Sequence, residues 1–177
     1  MANTFTKIAS VTVGSGGAAS MEFTSIPAIY TDLCVKISAR SDRNVYYTSF
    51  TVMTLNGSAT SYSRRSVNGN AGTAYSQSGT DAPIYVGFTS QATSTANTFS
   101  NTEIYIPNYA GSNNKSFSSD TVMENNDATN YYLGLYSGLW SNTAAITSIK
   151  LELTDGGSTY YNFVQYSTAT LYGISNS

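Results

Sequence analysis

The 177-residue chain has no histidine, one cysteine and one tryptophan, and only 10% of its residues are charged. Without histidine it can build no Ser-His-Asp triad, no Cys-His dyad and no His-containing zinc or iron site, which removes most hydrolase and metalloenzyme designs. A single cysteine forms no internal disulfide, so folding must rest on packing. Cys34 lies in Leu33-Cys34-Val35-Lys36-Ile37 and reads as a small buried hydrophobe rather than a reactive thiol, although strict alternation groups it with the polar residues of that segment. Eight scattered Lys and Arg residues and a net charge of −2 do not supply the clustered cations that a phosphate backbone needs, so no nucleic-acid partner is expected. No run of 18 apolar residues occurs, and residues 1–7 show neither the basic region nor the apolar stretch of a signal peptide. The expectation is a chain made in the cytoplasm without a membrane anchor.

In place of these groups the chain is rich in hydroxyls, amides and tyrosine. Ser, Thr and Asn make up more than a third of it, and 15 Tyr outnumber 7 Phe and 1 Trp together. Apolar residues recur at period two rather than at helical spacing. Strands are predicted over residues 5–13, 19–24, 32–40, 46–55, 61–67, 83–88, 98–106, 115–123, 131–136, 146–153, 160–164 and 168–174. Gly14-Ser15-Gly16-Gly17 reads as the turn of a hairpin between the first two, and Asn56-Gly57 as a tight turn after the fourth. Residues 68–82 lack apolar periodicity and read as a long loop or flap. Ten to twelve short strands with no helix between them predict an all-β, two-sheet antiparallel β-sandwich, jelly-roll-like, as a single domain with a short N-terminal arm over residues 1–6. A narrow up-and-down barrel is the competing arrangement.

Candidate sites are few. Glu22, Glu103 and Glu152 could in principle pair for glycoside hydrolysis, but each falls on the polar face of a strand, where a solvated surface explains it. Asp120, Glu124, Asn125, Asn126 and Asp127 carry the hard oxygens that calcium prefers but lack EF-hand spacing, and a turn whose Asn and Asp side chains bond their own backbone explains them without a metal. No catalytic residue, cofactor or metal ligand is assigned. Arg64-Arg65 is the only adjacent basic pair and suits an intersubunit or glycan contact, or a protected strand edge. The doublets Tyr46-Tyr47, Tyr131-Tyr132 and Tyr160-Tyr161 each place one ring outward if the chain alternates, which exposes aromatic surface of the kind found at interfaces. Phe5, Arg64, Arg65, Tyr131, Tyr132, Tyr136 and Trp140 are therefore the candidate interface residues, Trp140 also as a platform for a sugar, although a lone Trp beside a strand end is more often core.

Two blocks of the chain resemble small β-sandwich virion proteins of tailed bacteriophages. The first runs Ile8-Ala9-Ser10-Val11-Thr12-Val13-Gly14-Ser15-Gly16-Gly17-Ala18-Ala19, then Phe23-Thr24-Ser25-Ile26-Pro27 and Tyr30-Thr31-Asp32-Leu33. The second runs Ile146-Thr147-Ser148-Ile149-Lys150-Leu151, then Asn162-Phe163-Val164 and Ser167-Thr168-Ala169-Thr170-Leu171-Tyr172-Gly173-Ile174. The resemblance covers about two fifths of the chain, carries no catalytic residue, and implies a non-enzymatic particle component in head decoration, knob, fibre or tail. A disulfide-free, hydroxyl-rich protein made in the cytoplasm suits the head. The resulting expectation is a virion-located capsid decoration or cement protein, a homo-oligomer whose partners are the major capsid protein or other virion proteins. The alternative is a tail-associated carbohydrate-binding module that recognises a host glycan. A glycosidase-like depolymerase is the third and weakest reading.

Overall fold

The computed structural model describes residues 4–45 and 48–175. They form thirteen strands and no helix: β1 (Phe5–Thr12), β2 (Ser20–Phe23), β3 (Asp32–Ala39), β4 (Ser49–Leu55), β5 (Tyr62–Asn70), β6 (Thr73–Gly79), β7 (Ile84–Thr89), β8 (Ser100–Ile106), β9 (Lys115–Met123), β10 (Tyr132–Trp140), β11 (Ile149–Thr154), β12 (Tyr160–Tyr161) and β13 (Thr168–Ile174). Eight of them make one sheet in the order β1-β13-β3-β8-β9-β10-β5-β6. The second sheet runs β12-β11-β4-β7, with β2 also paired to β11. Every strand pair is antiparallel. The two sheets pack face to face as the expected β-sandwich, with one strand more than the upper end of the expected range.

The interior follows from alternation. In β9, Lys115, Phe117, Ser119, Thr121 and Met123 point inward while Ser116, Ser118, Asp120 and Val122 point out. Leu33, Val35 and Ile37 of β3, Ile104 and Ile106 of β8 and Leu171 of β13 meet Met53 and Leu55 of β4, Ile84 and Val86 of β7 and Ile149, Leu151 and Leu153 of β11. Each such side chain contributes about 1.5–3 kcal/mol on burial, which is how the fold holds without a disulfide. A second cluster, Phe88, Met123 and Tyr136 with Phe50, Tyr85 and Tyr132 against it, fills the end of the sandwich nearest β5 and β6. Two cations taken inside, Arg40 and Lys115, are paired with main-chain carbonyls. The Arg40 guanidinium donates to the carbonyls of Thr95 (2.9 Å), Thr98 (2.8 Å), Ser94 (2.9 Å) and Ala92 (3.2 Å), pinning the connection between β7 and β8. Lys115 is fully buried, and its ammonium donates to the carbonyls of Gly111 (2.6 Å), Thr143 (3.3 Å) and Asn113.

Several expectations are corrected. The predicted hairpin does not form: β1 pairs with β13 and β2 with β11, so residues 14–17 carry the chain from one sheet to the other. There Gly17 takes φ 71° and a Cβ would sit 3.1 Å from the Phe163 carbonyl oxygen, so glycine is required for the close approach rather than for a hairpin turn. Residues 68–82 are no flap. They hold the end of β5 and all of β6, joined through Ala71 (φ 44°) and Gly72 (φ 85°), a two-residue turn with both central residues left-handed. In the first half of β3, Asp32–Val35, both faces are buried, while Lys36 and Ser38 are exposed: Asp32 accepts from the Tyr105 hydroxyl (2.6 Å) and the Asn108 N–H (2.9 Å), and Cys34 lies opposite Tyr105 on one side and Tyr172 on the other. The buried-hydrophobe reading of Cys34 holds against its parity. Of the predicted N-terminal arm, Phe5 and Thr6 belong instead to β1, paired with Ile174 and Gly173, and residues 1–3 lie outside the described residues. Tyr46 and Tyr47 also lie outside them. Among the described residues no helix is long and apolar enough to cross a membrane.

Candidate functional site

The eight-stranded sheet has one face against the core and one face free. On the free face alternation places Leu133 and Leu135 of β10, Val67 of β5 and Val122 of β9 side by side: Leu135 is opposite Val67, and Leu133 is opposite Val122. They are 54%, 64%, 62% and 48% exposed, respectively. Four adjacent aliphatic side chains left in water form a contiguous apolar patch rather than scattered surface residues. The strands beside them carry small residues. Gly69 lets Leu133 lean across β5, since a Cβ there would come within 3.3 Å of the Leu133 Cγ, and Ala74, Ser76 and Ser78 follow on β6. The result is a shallow trough, about 600 Å³ over Val67, Ser76 and Leu135 and a further 350 Å³ or so over Gly69, Ala74, Tyr131 and Leu133. Its rim is polar: Arg65 stands at one end, and beyond Asp120 the Lys36–Glu103 ion pair (2.7 Å) spans β3 and β8. An apolar centre inside a polar rim is the anatomy of a protein-docking surface.

A second feature lies at the mouth of the sandwich, where Phe50, Arg64, Gln77, Tyr85, Tyr136, Asp155 and Gly156 line a cleft of about 290 Å³. Arg64 points inward from β5, donates from Nε to Asp81 Oδ2 (2.7 Å) and lies over the Tyr85 ring (4.6 Å to its centroid). Phe50 meets Tyr85 edge-on at 5.2 Å. Burial raises the phenols of Tyr85 and Tyr136, so both stay protonated donors or acceptors at neutral pH. The Asp155 carboxyl is held below the ordinary carboxylate range, chiefly by the Gly157 N–H that donates to it at 2.8 Å. A glycosidic general acid needs the opposite shift, so Asp155 does not suit that role, and the cleft presents hydrogen-bonding groups and ring faces.

The sequence-predicted residues scatter over these features. Arg65 is exposed at the trough's rim and Tyr131, half-buried, lines its far end. Arg64 belongs to the cleft, and Phe5 is exposed at the opposite edge of the sheet, edge-on to Tyr172 at 6.1 Å. Three aromatic candidates are corrected. Trp140 is 1% exposed and stacks on Tyr62 at 6.3 Å, so it is core and not a sugar platform. Tyr136 is buried in the second cluster, and Tyr132 packs on Phe88 at 4.9 Å. The reason is common to all three: Tyr132, Gly134, Tyr136, Gly138 and Trp140 share the inward parity of β10, and the two glycines make room for the rings. Of the doublets, Tyr160 is exposed while Tyr161 lies half-buried under Arg43 (5.4 Å). Glu103 and Glu152 are in exposed or half-exposed ion pairs with Lys36 and Lys150, and Glu22 accepts from the Ser20 hydroxyl at 2.9 Å. In the acidic loop Asp127 Oδ1 accepts from the N–H of Thr129 (2.9 Å) and of Asn130 (3.2 Å), and Asn125 Oδ1 from that of Asp127 (2.9 Å), the self-bonded turn. Among the described residues no three His, Cys, Asp or Glu side chains converge as a metal site.

Compared with known proteins, the chain matches no family model, no curated sequence and no solved structure.

Proposed function

We propose that this chain is a non-catalytic structural protein of a tailed-phage particle, a decoration or cement protein that docks on the assembled head through the free face of its eight-stranded sheet. The observation that carries the docking is the patch of Val67, Val122, Leu133 and Leu135, four adjacent aliphatic side chains about half or more exposed on the free face of the sheet. Placement on a virion rests on the resemblance of the N-terminal and C-terminal blocks to phage β-sandwich proteins. Docking would bury surface across neighbouring shell subunits and stabilise the shell in proportion to its occupancy. Quantitative mass spectrometry of purified particles tests the location. A copy number in the hundreds, at a simple ratio to the major capsid protein, supports head decoration, whereas a dozen or two copies overturns it in favour of the tail.

The mouth cleft favours one second reading, host-glycan recognition. Its mixture of Arg64, Asp155, Gln77 and tyrosine hydroxyls with the Phe50 and Tyr85 rings suits a neutral saccharide. Reproducible binding on a glycan array that is lost in Arg64→Ala supports this reading, and an array with no binding removes it.

A further inference from the structure

A sheet edge exposes a row of unpaired main-chain N–H and C=O groups, and natural proteins blunt such edges with charge, proline, bulges, shortness or cover. Four edges of this sandwich are blunted. β1 has a register break between Lys7 and Ala9 and carries the exposed Lys7. β2 is four residues long with Glu22 on it, and β12 is two residues long. β7 follows Pro83, breaks register opposite Thr51 and Val52, and is almost wholly buried. β6 has none of these devices. It is Thr73-Ala74-Tyr75-Ser76-Gln77-Ser78-Gly79, seven residues without a charge or a proline, in unbroken register with β5 and exposed or half-exposed throughout. No strand lies beyond it among the described residues.

We infer that β6 is a self-association edge, at which a second copy of this chain adds its own β6 antiparallel across a two-fold axis and joins two eight-stranded sheets into one. A second copy is the occupant that the edge itself selects. A register centred on Ser76 matches all seven residues, setting Ser76 against its mate, Tyr75 against Gln77, Ala74 against Ser78 and Thr73 against Gly79, with no like charges opposed. Antiparallel continuation of a sheet places the two-fold perpendicular to it, so the free faces of both copies point the same way. The trough beside β6, floored by Ala74, Ser76 and Ser78, then runs across the junction between two aliphatic patches. The dimer would present a doubled docking face, which raises avidity for a repeating lattice without any new contact. The edge argument stands apart from the head-docking reading.

Sedimentation velocity over a concentration series, with amide hydrogen exchange at the lowest and highest concentrations, tests it. The expected result is a mass that rises from 18.9 kDa toward twice that value, with concentration-dependent protection in β6 and none in β1. Ser76→Lys, which opposes two like charges at the axis, should weaken association at least tenfold, while Ser10→Lys on β1 should leave it unchanged. A monomer mass up to the solubility limit overturns the inference, as does association that survives Ser76→Lys with β6 amides unprotected. The exchange readout on the unaltered chain decides the matter even where the lysine variant fails to fold. A monomer that still docks on heads would sink the dimer and leave the docking reading standing.

Discussion

Gly138 of β10 faces Phe117 of β9 directly across the strand pair, and the Phe117 ring, 3% exposed, lies over it. A Cβ on residue 138 would fall no farther than 2.6 Å from Cε1, Cε2 and Cζ of that ring, inside any allowed contact. Two effects oppose each other in Gly138→Ala. Removing a strand glycine gains about 0.5–1 kcal/mol, and forcing the ring from its seat costs about 1–3 kcal/mol, so the net expectation is about 1–2 kcal/mol of destabilisation. Phe117→Ala alone removes a buried aromatic and costs about 3–5 kcal/mol. With the ring gone, the methyl introduced at position 138 no longer clashes and fills part of the void. The double variant should therefore be about 1–2 kcal/mol more stable than the sum of the singles predicts. Urea denaturation of the four proteins, read as midpoint and slope, measures the cycle. A neutral or stabilising Gly138→Ala, or strict additivity, would refute the reasoning that this glycine exists to seat the ring.

Arg40→Lys keeps the charge but loses the planar fork that reaches four carbonyls, so it should cost about 2–4 kcal/mol and raise hydrogen exchange in residues 91–98 before the rest of the chain. Burial, with Glu103 behind it, lifts the Cys34 thiol from 9.0 to about 11. An aromatic disulfide reagent at pH 8 should leave the native protein unlabelled and react with the urea-unfolded chain; labelling of native protein would contradict the burial. Because the folded-state value lies above the unfolded one, the stability held by the protonated thiol is complete below about pH 9 and is lost as pH rises toward 11. The raised phenols of Tyr62 and Tyr136 act in the same direction, so the melting temperature should fall through this window and not climb.

How much could be read in advance varied with the kind of signal. β9 and β13 match their predicted bounds residue for residue, because buried and more exposed positions alternate through β9 and through all but the last residue of β13. β6 was missed because its only large side chain is Tyr75 and it has no buried face to impose a period; the Ala71-Gly72 turn was the remaining clue. The false hairpin at residues 14–17 shows the limit of local turn chemistry, since the true partner of β1 lies at the far end of the chain. Both parities of β10 are apolar, and nothing local says which of them turns inward. Ring size settles it: the aromatic parity, spaced by Gly134 and Gly138, fills the core, and Leu133 and Leu135 are left on the free face. The aliphatic patch is therefore hidden among residues that look like core, while Tyr136, and Trp140 in its reading as a sugar platform, are placed at the surface on their aromatic chemistry alone.

The central claim, that the aliphatic patch docks the protein on a head, is tested most directly by binding the purified chain and patch variants to assembled heads that lack it. Leu135 is 64% exposed, so a polar replacement removes little folding energy, under about 1 kcal/mol, but forfeits about 1–2 kcal/mol of docking. Leu135→Ser and Val67→Ser should each weaken binding roughly tenfold with melting temperatures close to that of the parent. Wild-type occupancy that is unchanged in the Leu135→Ser, Val67→Ser double variant, or heads that bind no wild-type protein at all, would contradict the account.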